Sequence, residues 1–340
     1  MATDNNIYFI AEAGVNHDGS LTIAKQLVDI AVAAFADAVK FQIYNSEELI
    51  KPESAAPDYM EEQVSMQDIL KRYELSQGEW VELIEYCRLK EIDFLCTPFD
   101  IDSAKFLYTQ GVSKFKISSG DFENIILMEK IFSLGDDVNL IISSGMSNLK
   151  TAELVVETLT NSLGIAANKI CLMHCVSSYP TPDDSANLMA IRTLRKVAPV
   201  EIGYSDHTLG TLAPSLAVAL GAKVIEKHFT YDKEAVGPDH KMSINPNELA
   251  ECISLVRQST KMMGDGLKNI QDVEESLVEV ARRGAYWKMD YDNRSKFSFD
   301  MVDFKRPFNG VSYFELKRVI NSLLASPVKK GEGIRLSNFE

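Results

Sequence analysis

The sequence predicts an α/β protein: a (β/α)8 barrel followed by a small β-rich C-terminal domain. Three observations predict it. Apolar runs that end in a polar residue alternate eight times with amphipathic, helix-length segments over about 255 residues, close to the usual size of such a barrel. The first strand leads into Ala13-Gly14-Val15-Asn16-His17, not the glycine-rich phosphate loop that a doubly wound sheet wants there. Beyond residue 263 the alternation stops and turn-rich sequence takes over.

In order, residues 7–11 form a strand that runs into Glu12, so Ile10, Glu12 and Gly14 share a face. Residues 20–35 carry Leu21, Ala24, Leu27, Val28 and Ala31 at helical spacing. The second strand, 37–44, turns Val39 one way and Lys40 and Gln42 the other. Residues 45–75 are a long charged connection, read either as a lid or interface or as a solvated insertion. Ser76-x-x-Glu79 is a capping box, opening a helix with Trp80, Leu83, Ile84 and Cys87 as its core stripe. Strands follow at 93–99, 114–118, 139–143, 169–177, 200–207 and 223–229, with helices near 101–110, 125–134, 148–162, 187–197 and 210–220. Asn245 and Pro246 then supply an N-cap and a proline at the first helical position, ahead of a helix with Leu249, Cys252, Ile253 and Val256 on one face. The expected division is 1–265 for the barrel, 266–285 for a linker and 286–340 for the small domain, with a helix near 313–324.

Composition narrows the function. A hydrophobic content of 46% is ordinary for a globular protein. No apolar run approaches the ~20 residues of a membrane helix, and Met1 to Asn6 lack the pattern of a signal peptide. Five cysteines, odd in number and set in apolar runs, suit reduced thiols in a cytoplasm. Cys171 and Cys175 share a strand face and His174 points opposite, which argues against zinc there. A net charge of −14 argues against nucleic acid or an anionic membrane as partner. An anionic substrate must then be met by cations concentrated in one place.

Barrels of this kind do their chemistry at the C-terminal ends of the strands. Glu12, Lys40, Gln42, Thr97, Lys116, Ser119, Ser143, Ser177, Ser205, His207, Glu226 and His228 gather there. A strand end is often polar simply because it nears solvent, and for any single serine that reading suffices. Lys40, between Val39 and Phe41, and Lys116, between Phe115 and Ile117, are different, since an inward ammonium group among apolar neighbours requires an anion. Two such lysines with several hydroxyls fit a phosphate and carboxylate site. His207 and His228, with Glu226 two residues before the second, suit a divalent ion that keeps open positions. A Schiff-base aldolase would also use an inward lysine, and a non-catalytic sugar-binding protein is a third class. A metal-dependent amidohydrolase would want His-x-His at the first strand, which 10–13 lack.

An ordered series of motifs carries a closer likeness. It begins with Ala11-Glu12-Ala13-Gly14-Val15-Asn16-His17-Asp18-Gly19, Val39-Lys40-Phe41-Gln42, Cys96-Thr97-Pro98-Phe99 and Lys116-Ile117-Ser118-Ser119-Gly120-Asp121. It continues with Ser143-Ser144-Gly145-Met146, Tyr179-Pro180-Thr181-Pro182, Gly203-Tyr204-Ser205-Asp206-His207-Thr208, Glu226-Lys227-His228-Phe229-Thr230 and Gly237-Pro238-Asp239-His240. In these the chain resembles the sialic acid synthase family, the enzymes that make nonulosonic acids, over nearly its whole length, and its tail resembles their antifreeze-like (SAF) domain.

The resemblance implies condensation of phosphoenolpyruvate with an N-acylated mannosamine-type sugar, N-acetylmannosamine or a related acetamido hexose, with release of phosphate. The alternative is a related phosphoenolpyruvate-dependent sugar-acid synthase, such as a legionaminic or pseudaminic acid synthase. It implies that Lys40, Thr97, Lys116, Ser119, Ser143 and Ser205 hold phosphoenolpyruvate, and that His207 and His228 bind Mn²⁺ or Mg²⁺. Glu12, Gln42, Asp121, Tyr179, Glu226 and Asp239 would bind or orient the sugar, with Glu12, Glu226 and Lys116 as the catalytic set. Arg306 would reach the barrel mouth of the other subunit in a domain-swapped homodimer. Some positions depart from the family pattern. Asp121 stands where some members have glutamate, and Ser177, also assigned to substrate binding, replaces an asparagine. Phe35 occupies a usual glycine position, read as a packing difference. Phe308 interrupts the usual Lys-Arg-Pro-Gly, and the start of the tail, 287–297, is divergent.

Overall fold

In the computed structural model, which describes residues 7–51 and 65–340, eight parallel strands close into a barrel in sequence order. They are β1 (Tyr8–Gly14), β2 (Ala38–Ile43), β3 (Asp93–Pro98), β4 (Lys114–Ile117), β5 (Asn139–Ser143), β6 (Ile170–Cys175), β7 (Glu201–Asp206) and β8 (Val224–His228), with β1 pairing both β2 and β8. The predicted fold class is therefore the observed one. Residues 1–6 and most of the long connection predicted at 45–75 lie outside the described residues. The described parts of that connection are the short helices Ser46–Leu49 and Met66–Lys71.

Each strand is followed by the helix its sequence specifies. Ser20 caps Leu21–Ala33, and the Ser76/Glu79 capping box opens Gln77–Leu89, which buries Trp80, Leu83, Ile84 and Cys87. Asn245 and Glu248 form a second capping box ahead of Pro246–Met263, which buries Leu249, Cys252, Ile253 and Val256. These apolar stripes meet the outward faces of the strands, where Phe9, Phe41 and Phe115 are fully buried. A separate set, Ile10, Ala38, Leu95, Ile141, Met173 and Val224, fills the lumen floor. No helix among the described residues is long and apolar enough to cross a membrane.

The chain divides into two compact units, Met1–Gly264 and Asp265–Glu340. The second contains the helix Glu275–Ala281, an antiparallel pair β9 (Gly284–Trp287) and β10 (Val302–Lys305), and a core around Trp287, Phe297, Leu316, Leu324 and Ile334. The helix expected over 313–324 is shorter: it spans Tyr313–Arg318. Asn321 adopts a left-handed φ of 69°, and residues 322–324 hydrogen-bond to 295–297 instead, through Phe297 N to Ser322 O and Leu324 N to Ser295 O. The helix expected over 148–162 is regular only for Leu149–Glu157 and widens into a π-turn at Thr158–Ser162. Phe35 is a backbone rather than a packing feature: its φ is 62° and its side chain is 82% exposed.

Candidate active site

Two residues along a strand is one tier of the barrel. Above the floor, Glu12, Lys40, Thr97, Ser143, Cys175 and Glu226 follow from Ile10, Ala38, Leu95, Ile141, Met173 and Val224. With Gln42, Lys116, Ser119, Tyr179, Ser205, His207 and His228, this tier lines a cavity of about 70 Å³. A larger cavity, about 640 Å³, lies beyond Cys175, and its lining carries no lysine, arginine or carboxylate. Size alone does not mark the chemistry here. The small charged cavity does.

Lys40 and Lys116 are each 3% exposed. The sequence leads one to expect a substrate anion opposite them, but the structure already supplies the protein's own carboxylates. Lys40 Nζ lies 2.9 Å from Glu12 Oε1 and 3.7 Å from Glu226 Oε2, and donates to Thr97 Oγ1 at 3.2 Å. Lys116 Nζ donates to Ser143 Oγ at 2.5 Å and lies 3.7 Å from Glu226 Oε1, which also accepts from Ser205 Oγ at 2.7 Å. Gln42 Nε2 donates to Glu12 Oε1 at 3.2 Å. The two carboxyls respond in opposite directions. Burial drives Glu12 up against the pull of Lys40, with Glu226 adding to the rise. For Glu226, burial raises it too, but Lys116 and Lys40 together outweigh burial and hold it below the usual carboxylate range.

His207 and His228 have ring centroids 5.5 Å apart, and Tyr179 packs 4.2 Å from the first and 6.1 Å from the second. His207 Nδ1 lies 2.8 Å from the Val176 carbonyl. A carbonyl only accepts, so in the neutral ring Nε2 keeps its lone pair. Burial, followed by the charges of His207 and Lys40, pushes His228 well below its ordinary value, and its buried Nδ1 has no hydrogen-bond partner among the described residues. Burial works against a charged His207, but Cys175 and the Val176 carbonyl outweigh burial and hold it above its ordinary value. A borderline divalent ion takes neutral imidazole nitrogens, so it would have to displace the His207 proton to use this pair. No set of three or more His, Cys, Asp or Glu ligands stands together among the described residues. Two imidazoles alone would leave the other coordination positions of such an ion to substrate and water.

Four of the expected site residues lie outside the wall of the small cavity. Asp239 Oδ2 is 3.7 Å from His228 Nδ1. Asp121 sits in a turn and accepts from Ser118 Oγ at 3.0 Å and Asn124 Nδ2 at 3.2 Å. Ser177 lines the larger cavity, its Oγ buried without a partner among the described residues. Arg306 is an exposed residue of the second unit. Ser118 and Cys175 line the small cavity although neither was among the expected site residues. The sequence points to Cys175 only as a zinc ligand, yet it shares a tier with Ser143 and Ser205, and its Sγ lies 3.6 Å from Ser119 Oγ.

The loop that carries Asp239 is fastened to the β1 loop. His240 Nε2 lies 3.0 Å from Asp18 Oδ1, and Tyr231 OH donates to Asp18 Oδ2 at 2.7 Å. Asn16 Nδ2 donates to Phe229 O at 2.8 Å and to Ser243 Oγ at 3.0 Å. Gly14, at φ 54°, leaves room for this closure, since a Cβ there would sit 3.0 Å from Asp239 Oδ2.

The NeuB family profile matches residues 27–268. The N,N'-diacetyllegionaminic acid synthase of Campylobacter jejuni is 38% identical over 333 residues, covering 96% of this chain and 98% of its own. The N-acetylneuraminate-9-phosphate synthase of Mus musculus is 31% identical over 305 residues, covering 88% and 82%. Among solved structures, the N-acetylneuraminic acid (sialic acid) synthetase of Leptospira borgpetersenii, in complex with citrate, superposes with a TM-score of 0.72 at 37% identity, over 81% of this chain and 91% of that one. The chain belongs to the NeuB family.

Proposed function

We propose that the protein condenses phosphoenolpyruvate with an N-acylated mannosamine-type sugar to give a nonulosonic acid and phosphate. One observation carries this beyond family membership: two buried lysines and two buried imidazoles converge on a single small cavity at the mouth of a barrel. Lys40, Lys116, Thr97, Ser119, Ser143 and Ser205 are the cations and hydroxyl donors for the phosphate and carboxylate. His207 and His228 would hold Mn²⁺ or Mg²⁺, which when bound polarises the sugar aldehyde and stabilises charge developing on its oxygen. Gln42, Tyr179 and Asp239 orient the sugar, and Asp121 and Ser177 serve its outer end. The enol carbon bonds to the aldehyde carbon, and the aldehyde oxygen takes a proton. Water then adds at the cationic carbon, and the tetrahedral intermediate loses phosphate by C–O cleavage. Glu12, with its raised carboxyl and an Oε2 that lacks a partner among the described residues, is suited to carry a proton in these steps. Glu226 stays ionised between the lysines. We further assign residues 286–340 to an SAF-like domain whose Arg306 reaches the site of a second subunit in a cytoplasmic homodimer.

The test is phosphate release. It should require phosphoenolpyruvate and an N-acyl hexosamine together, and fail in chelator. His228→Ala should lose metal-dependent turnover by at least 100-fold while melting as the wild type does. Release with erythrose 4-phosphate or arabinose 5-phosphate instead of the acetamido sugar would redirect the assignment to another synthase. Arg306→Ala should raise the KM of the sugar several-fold more than that of phosphoenolpyruvate, and equal effects on both would remove Arg306 from the sugar site.

A further inference from the structure

An ion pair that the chemistry above does not use lies directly behind the two histidines. Strand alternation turns Asp206 and Lys227 away from the lumen, while His207 and His228, one residue further along each chain, face into it. Asp206 and Lys227 are register partners across β7 and β8. Lys227 Nζ donates to Asp206 Oδ2 at 2.6 Å and to Thr208 O at 2.6 Å. Asp206 Oδ1 accepts from Tyr204 OH at 2.9 Å, from Thr208 N at 2.9 Å and from Thr208 Oγ1 at 2.8 Å. The side chains of the pair are 2% and 0% exposed.

We propose that Asp206 and Lys227 are positioning residues that set the spacing and facing of His207 and His228, so that the two imidazole lone pairs converge on one divalent cation. The inference rests on the metal reading given above. Each histidine is joined by one peptide unit to a side chain held in this pair, so neither strand end can twist or slide without breaking several buried hydrogen bonds. A shift of one residue would turn the imidazole to the opposite face. A clamp that merely stabilised the barrel rim would behave differently: its loss would lower the melting temperature and leave the cation affinity of the folded protein unchanged.

The decisive variant is Asp206→Asn with Lys227→Met. It removes both charges together, whereas either change that strands one charge alone threatens the fold. Mn²⁺ binding is read from the electron paramagnetic resonance of free Mn²⁺ without substrates, beside thermal melting and the KM of phosphoenolpyruvate. The double variant should melt cooperatively and bind Mn²⁺ at least tenfold more weakly than the wild type, with the phosphoenolpyruvate KM within twofold. A cooperatively melting double variant with wild-type Mn²⁺ affinity overturns the proposal. If the double variant does not fold, Tyr204→Phe decides. It removes one bond to Asp206 and should weaken Mn²⁺ two- to threefold at near wild-type stability, and unchanged affinity again overturns the proposal. A wild-type protein that binds no Mn²⁺ overturns the metal reading itself, and this inference falls with it.

Discussion

Two ammonium groups share one buried cavity because Glu12 lies 2.9 Å from Lys40 and Glu226 stands between the two lysines, 3.7 Å from each. At that separation a single unit-charge pair is worth on the order of 4 kcal/mol at an effective dielectric of about 20, enough to keep the carboxylate ionised despite burial. The lysines were legible in the sequence because each interrupts an apolar strand. Their neutralisation by Glu12 and Glu226 was not, because pairing across the lumen depends on the register of four strands. Phe35 shows the converse case. The sequence marks it as an oddity, and only its φ of 62° gives the reason. A left-handed conformation costs a non-glycine residue about 1–2 kcal/mol, and glycine returns part of that gain through its greater freedom when unfolded. The ring is 82% exposed, so little packing is lost with it. Phe35→Gly should therefore stabilise the protein by roughly 1 kcal/mol, on the order of 2 °C in melting temperature. A lower melting temperature would show that the ring packs in solution.

Helix starts were the most legible elements, because a cap is a local event: Ser76 with Glu79, and Asn245 with Glu248, form the boxes their spacing announces. Helix ends were less so. The backbone of residues 321–324 is captured by residues 295–297, a contact that no local pattern encodes. The β1 loop is intermediate. Its Asn16-His17-Asp18 run belongs to the first of the motifs that carry the family resemblance, and the structure uses it as a fastening. His17 is fully buried against Phe41 and Trp80, and its Nδ1 accepts from Gly19 N at 3.2 Å. Burial lowers its pKa to about 4, against opposing pulls from Asp18 and Glu79. Above pH 6.5 the ring is neutral in both the folded and the unfolded chain, and its contribution to stability is complete. Between pH 6.5 and 4 the unfolded chain binds a proton that the native chain refuses, so stability falls as pH falls, by up to about 3 kcal/mol from this residue. Urea denaturation of the wild type and of His17→Phe at pH 7.0, 5.5 and 4.5 should show a steeper acid loss in the wild type. Parallel pH profiles would place the charge sensitivity elsewhere.

At the scale of the whole molecule, a closed barrel wrapped in helices leaves its C-terminal mouth as the way into the lumen, and the cysteines report on that directly. All five are free and buried. Cys87, Cys96, Cys171 and Cys252 are 0% exposed, sealed beneath the helices or within the strand layer, whereas Cys175 is 6% exposed and borders both cavities at the mouth. Burial works against its thiolate, but the neighbouring His207 outweighs burial and lowers the thiol pKa, and a larger thiolate fraction speeds attack on a disulfide reagent. The native protein should therefore expose one slowly reacting thiol to an aromatic disulfide reagent, and the unfolded chain five. Cys175→Ser should abolish the single native reaction. Phosphoenolpyruvate with the acetamido sugar should slow it several-fold, because the thiol stands 3.6 Å from Ser119 Oγ in the wall the substrates would cover. Labelling of two or more cysteines in the native state would mean that the helical layer opens. A single labelled Cys175 that substrates fail to protect would place their binding away from this tier of the lumen.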